Sequence, residues 1–139
     1  MPVDSTETIR AFIDAINAGD VQAINRLMTP DHLFVDSSGS SITGREEMRK
    51  AWVGYFYLVP DYHIIVSRMF HRGDAVGVFG IAHGTYAAGS KLEERNRWQM
   101  PSAWLGIVRD GLVAEWHVYA DNEAVREIIQ REDSAKPGA

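Results

Sequence analysis

The chain has no cysteine among its 139 residues. That removes any disulfide framework and any thiolate chemistry, and it suits a reducing cytoplasm. It has no basic block either: 14 Lys and Arg stand against 19 Asp and Glu, for a formal charge of -5. Nucleic acids and anionic membranes are bound by concentrated positive surface, so neither is expected as a partner. No apolar run approaches the roughly 20 residues a spanning helix needs, and MPVDSTET at the N-terminus lacks the regions of a signal peptide. A cytoplasmic location is expected. The histidines at 32, 63, 71, 83 and 117 form no HExxH and no close triad with acids, so no metal site is expected. Gly77, Gly80, Gly84 and Gly89 lie within or after a strand pattern, without the strand-to-helix setting of a phosphate loop. They fit sheet bending, and no cofactor is expected.

What is present reads as one domain with a single core over residues 1–132, followed by a disordered tail, 133–139. Ile9, Phe12, Ile13 and Ile16 recur at helical spacing, with Asp4 and Glu7 at the start and Asn17-Ala18-Gly19 as a stop. Asp20 is expected to cap a second helix that turns Ile24, Leu27 and Met28 inward and ends at Thr29-Pro30. Phe34 to Asp36 predicts a short strand. Thr43 with Glu46 predicts a capping box opening a third helix that carries Met48, Ala51, Trp52, Tyr55 and Phe56. After Pro60 the period changes to that of strands: Tyr62 to Phe70, Ala75 to Tyr86, Asn96 to Arg109 and Leu112 to Ala120. Arg72-Gly73-Asp74 and Arg109-Asp110-Gly111 punctuate these runs as turns, giving an antiparallel meander. Asp121 opens a last helix with Val125, Ile128 and Ile129. This is an α+β plan in which helices cover one face of a curved sheet and enclose a pocket.

Asp36 is the most informative residue. It closes the apolar pair Phe34-Val35 and opens the small-residue loop SSGSS. At the end of a core strand, a carboxylate can face a hydrophobic cavity that tunes its basicity. It can equally cap the turn amides of Ser37 to Gly39.

NAGD between the first helices, FVDSSGSSITGREEMRKAW, VPDYH and DGLVAEWHVYAD together resemble the nuclear transport factor 2-like superfamily. Within it the chain resembles ketosteroid isomerases and SnoaL-type polyketide cyclases, over nearly its whole length. The resemblance implies a cone-shaped α+β barrel, with the helices on the concave face of a curved antiparallel sheet. It places Asp36 where ketosteroid isomerases hold their general base. Their oxyanion donors, a Tyr and a protonated Asp, fall on Phe12 and near Ala103 or Trp104, and neither residue type matches. The epoxide-hydrolase branch is similar at Trp116, but its catalytic Asp falls on Val118. Asp121 could be a second acid, although a helix N-cap is the simpler role.

His83 is the best companion for Asp36. Phe79, Ile81 and His83 alternate onto one strand face, and the resemblance turns that face to the pocket. There His83 is either a proton shuttle or a neutral ring bonded to a backbone carbonyl. His117, alternating with Trp116, points outward with Glu115 and Tyr119, where a homodimer is expected. Trp52, Tyr55, Trp98, Trp104 and Trp116 are an aromatic set that serves the core, a dimer face or the cavity. Phe12, Trp52, Tyr55, Phe79, Trp104, Trp116 and Val118 are the expected substrate-binding residues, with Asp36 and His83 as the catalytic pair. The expected ligand is a small apolar, cyclic molecule bearing a carbonyl or hydroxyl. Two functions stay open: an isomerase- or cyclase-type enzyme working by proton transfer, and a non-catalytic binding or dimeric scaffold protein with a filled pocket.

Overall fold

The computed structural model describes residues 4–135. In chain order the elements are α1 (Ser5–Asn17), α2 (Val21–Arg26), β1 (Met28–Val35), β2 (Ser41–Thr43), α3 (Arg45–Leu58), β3 (His63–Arg72), β4 (Ala75–Thr85), a 3-10 turn at Glu94–Asn96, β5 (Arg97–Arg109), β6 (Leu112–Ala120) and α4 (Glu123–Ala135). The six strands form one sheet in the order β2-β1-β6-β5-β4-β3. The α+β architecture expected from the sequence is present.

Helix α1 forms because Asp4 accepts the Thr6 amide at its start and Gly19, at φ 64, releases the chain after its end. Its apolar stripe, Ile9, Phe12, Ile13 and Ile16, is almost wholly buried. It lies across β3 to β6. Each such side chain contributes roughly 1.5 to 3 kcal/mol by leaving water. The approach is close at Gly106, where a Cβ would stand 2.4 Å from Ile9 Cδ1. Asn17 ties the helix to β3 like a short strand, donating to the Ile64 carbonyl at 2.9 Å and accepting its amide at 2.8 Å.

The meander β3 to β6 follows the expected order, with tight turns at Gly73-Asp74 and Asp110-Gly111. Asp110 and Gly111 both take positive φ, 55° and 75°, the backbone that a two-residue hairpin requires. In β3 the ladder slips between Val66 and Arg68. Opposite that bulge Gly80 sits so close that a Cβ would fall 1.9 Å from the Ile65 carbonyl oxygen.

Four expectations are corrected. The sheet is mixed rather than antiparallel, because β1 runs parallel to β6, with Phe34 beside Trp116 and Val35 beside His117. β1 begins at Met28 and carries Pro30, whereas the sequence suggested helix as far as Thr29 and a strand only from Phe34. The third correction is the capping box, which does not form. Thr43 pairs with Leu33 in the unexpected β2, and α3 starts from Gly44 with no side-chain cap. Finally, α4 continues through Ala135, past the boundary expected at 132; residues 136–139 of the expected tail, like residues 1–3, lie outside the described residues. No helix among the described residues is long and apolar enough to cross a membrane.

Candidate functional site

Between the sheet, α3 and α4 lies a cavity of about 430 Å³. One wall comes from β5, whose alternation turns Trp98, Met100, Ser102 and Trp104 to the same side. β6 adds Trp116, Val118 and Ala120, and α3 adds Met48, Ala51, Trp52 and Tyr55. Tyr62, just before β3, joins them, while Ser37, Ser38, Asn122 and Arg126 supply polar groups. The cavity is open, so the version of the scaffold reading in which tryptophans fill it is not what the chain builds.

Asp36 is in this wall, half-buried, and is the only acidic residue among the described ones that line it. It also caps its own turn. Oδ1 accepts the Ser38 amide at 2.9 Å, the Ser38 hydroxyl at 2.6 Å and the Ser40 amide at 3.0 Å. All three bonds fall on one oxygen, so Oδ2 carries none of them. Ser37 of the same turn accepts a hydrogen bond from the Asn122 side chain at the start of α4. Asp121 accepts the Glu123 amide at 3.0 Å and does not line the cavity, which is the helix-start role.

The structure brings together Asp36, Trp52, Tyr55, Trp104, Trp116 and Val118 from the expected set. It does not bring in His83, Phe79 or Phe12. On β4 the buried positions are the even ones, Val76, Val78 and Ala82, so Phe79, Ile81 and His83 take the opposite face. Phe79 is 48 % exposed there. The His83 ring lies 5.2 Å from that of His63 across the β3–β4 ladder, and burial together with His63 holds its pKa below the usual histidine value. No path joins it to Asp36 within the cavity. Phe12 is fully buried behind Trp116, edge-on at a ring separation of 5.2 Å. It props the cavity wall without facing the space.

Tyr62, Met100, Ser102, Asn122 and Arg126 were not anticipated. The β5 alternation Trp98-Met100-Ser102-Trp104 was the available signal for two of them. Tyr55 and Tyr62 keep part of their surface exposed yet are densely surrounded, and that burial raises the pKa of both phenols well above the ordinary value. Both therefore stay protonated at neutral pH. Three indole N–H groups of the wall, those of Trp52, Trp98 and Trp104, have no hydrogen-bond partner in the protein. Among the described residues no group of three or more His, Asp or Glu side chains is placed to hold a metal ion.

Residues 9–116 match the SnoaL-like domain. Among solved structures, the chain is similar to IdmH of Streptomyces antibioticus, a proposed polyketide cyclase, at 23 % identity and a TM-score of 0.75 over 92 % of this chain and 99 % of that one. An epoxide hydrolase of M. tuberculosis, described as LEH-like, superposes with a TM-score of 0.75 at 18 % identity, over 94 % and 92 %. A protein of Catenulispora acidiphila with a ketosteroid isomerase-like fold, in complex with trimethylamine, gives 0.74 at 20 % identity, over 86 % and 88 %. At these identities the likeness is one of fold. No curated protein matches the chain in sequence.

Proposed function

The chain belongs to the SnoaL-like domain family, and from that premise we propose that it binds a planar apolar compound bearing a carbonyl or hydroxyl and moves a proton on it with Asp36 as general base. The observation that carries this reading is the placement of Asp36, a lone carboxylate in the wall of an otherwise largely apolar cavity. Oδ2, free of the turn bonds, takes a proton from a carbon next to the carbonyl. The C–H bonding pair becomes the C=C of an enolate whose charge rests on the oxygen, and the proton returns to a different carbon to complete an isomerisation; in a ring closure the enolate carbon instead attacks a second carbonyl and the new alkoxide takes the proton. The solved relatives described as a proposed cyclase and as holding a small amine support a small-molecule role. Epoxide opening fits less well, since it needs both an acid and a base and the position of the second acid is Val118. Pairing of two copies through the outer sheet face, around Phe79 and Tyr119, belongs to the same reading.

A second reading, a binding protein without chemistry, draws support from the turn: three donors on Oδ1 suffice to explain why an acid stands there. Solvent-deuterium exchange into 2-tetralone, followed by proton NMR, separates the two. The enzyme reading expects wild-type protein to exchange the α-protons at least a hundredfold faster than Asp36→Asn, the usual scale for a positioned base. Equal rates would leave the binding protein.

A further inference from the structure

We infer that the outer face of the sheet carries a chelating site for a divalent ion of the late first-row transition series (copper, nickel or zinc), formed by the imidazoles of His63 and His83. The site lies on the far side of the sheet from the cavity and does not depend on what the cavity does.

His63 opens β3 and is paired with His83 of β4, which is paired in turn with Gln99 of β5. Directly opposed residues of neighbouring strands share a face. At this level the inner face belongs to Ile64, Ala82 and Trp98, all buried, so alternation turns His63, His83 and Gln99 outward in one row. The next outward row is Ile65, Ile81 and Pro101, which leaves the two histidines as a polar pair at the end of an apolar face. Both are half-buried, so each ring is anchored yet still meets solvent.

Their spacing suits chelation. Two imidazoles bound to one ion through metal–nitrogen bonds of roughly 2.0 to 2.1 Å, at a tetrahedral angle, have ring centres roughly 5 Å apart. The His63 and His83 rings are 5.2 Å apart. Turning an imidazole about its Cβ–Cγ bond, a broad torsion, brings either nitrogen round and leaves the ring centre in place. The backbone therefore need not move to close the chelate.

A ligating imidazole must be neutral. Burial, with His63 and Arg97, holds the His83 pKa below the usual histidine value, against the pull of Asp61. Arg97 and Asp61 act with opposite sign, so the nitrogen donors rather than net charge draw the ion. Asp61 is already committed, since Oδ1 accepts the Thr85 amide at 2.7 Å and Oδ2 the Thr85 hydroxyl at 2.8 Å. Two protein nitrogens are fewer than a permanent zinc site uses, so water completes the shell and the ion exchanges with solution. Imidazole suits copper, nickel and zinc, whereas magnesium and calcium take oxygen ligands. Because β3 is an edge strand of the sheet, a bound ion staples that edge to its neighbour.

Calorimetric titration of the wild type with Zn²⁺ in a non-coordinating buffer at pH 7.5 is expected to show one ion bound per chain, and titration with Mg²⁺ none. Chelation makes the second bond intramolecular, so His63→Gln and His83→Gln should each weaken zinc binding about a hundredfold, and the double variant little further. His71→Gln, at the other end of β3, should bind as the wild type does. Pulsed electron paramagnetic resonance of the wild type with one equivalent of Cu²⁺ is expected to count two imidazoles on the ion, a reading that no failure of a variant to fold can disturb. No uptake of Zn²⁺ at millimolar concentration, a single imidazole on copper, or an affinity unmoved by either substitution would overturn the site.

Discussion

Asp36 Oδ1 accepts both the amide and the hydroxyl of Ser38, at 2.9 and 2.6 Å, so the carboxylate of the cavity wall also builds the turn that presents it. Asparagine keeps an acceptor at the same atom. Asp36→Asn is therefore expected to melt close to wild type while losing α-proton exchange. Asp36→Ala removes the acceptor altogether and should cost about 1 to 2 kcal/mol of stability. Denaturant titration of the two variants checks this, and a large loss in both would mean that the negative charge itself holds the turn.

His32 makes stability depend on pH. Its Nδ1–H donates to the Val113 carbonyl at 2.7 Å, which leaves Nε2 buried and without a partner. Burial lowers its folded pKa below the reference of 6.5, against the opposing pull of that carbonyl. Above pH 6.5 neither the folded nor the unfolded ring is charged, and the full stability is present. As pH falls below 6.5 the unfolded chain takes up a proton that the fold refuses. Stability then declines by at most about 1.4 kcal/mol per pH unit, until the folded pKa is reached. His83 is shifted in the same direction, so in His32→Asn the slope of melting temperature against pH should shrink without vanishing. An unchanged slope would remove His32 as the cause.

Two glycines predict opposite tolerances. At Gly80 an added Cβ meets backbone, 1.9 Å from the Ile65 oxygen, whereas at Gly106 it meets the movable tip of Ile9 at 2.4 Å. Gly80→Ala should therefore cost about 3 kcal/mol or more by disrupting the β3–β4 ladder, and Gly106→Ala about 1 to 2 kcal/mol. Urea unfolding of both variants gives the order, and the reverse order would contradict the bulge geometry.

The outer sheet face leaves Ile65, Phe70, Phe79 and Tyr119 between 47 % and 61 % exposed. Sedimentation equilibrium of the wild type is expected to give a dimer, and Phe79→Glu with Tyr119→Lys should return it to monomer. A monomeric wild type at tens of micromolar would end the proposal of pairing.

The meander was readable because its tight turns are written in Gly and Asp between runs of strand formers. The face that β4 turns to the cavity was not. Phe79 and Ile81 on one side are as apolar as Val76, Val78 and Ala82 on the other, so alternation marks two faces without saying which is inside. Alternation left the choice open, and the resemblance turned His83 and Phe79 to the pocket, whereas the chain turns them to the opposite face. β1 was read too short because Pro30 suggests a break, yet it sits in the part of the strand before the regular pairing of Leu33 to Val35. The parallel pairing of β1 with β6 joins segments some eighty positions apart in the chain, and no local pattern encodes it. Asp36 was legible because a strand-end acid before SSGSS is a local feature, and Tyr62 was not, because its neighbours are set by tertiary packing.

The bond between Ser37 and Asn122 links the loop that carries the carboxylate to the root of the helix whose Val125, Arg126 and Ile129 edge the cavity. One side-chain bond thus fastens the carboxylate's loop to the helix at the rim of the cavity, so the two are held as one piece.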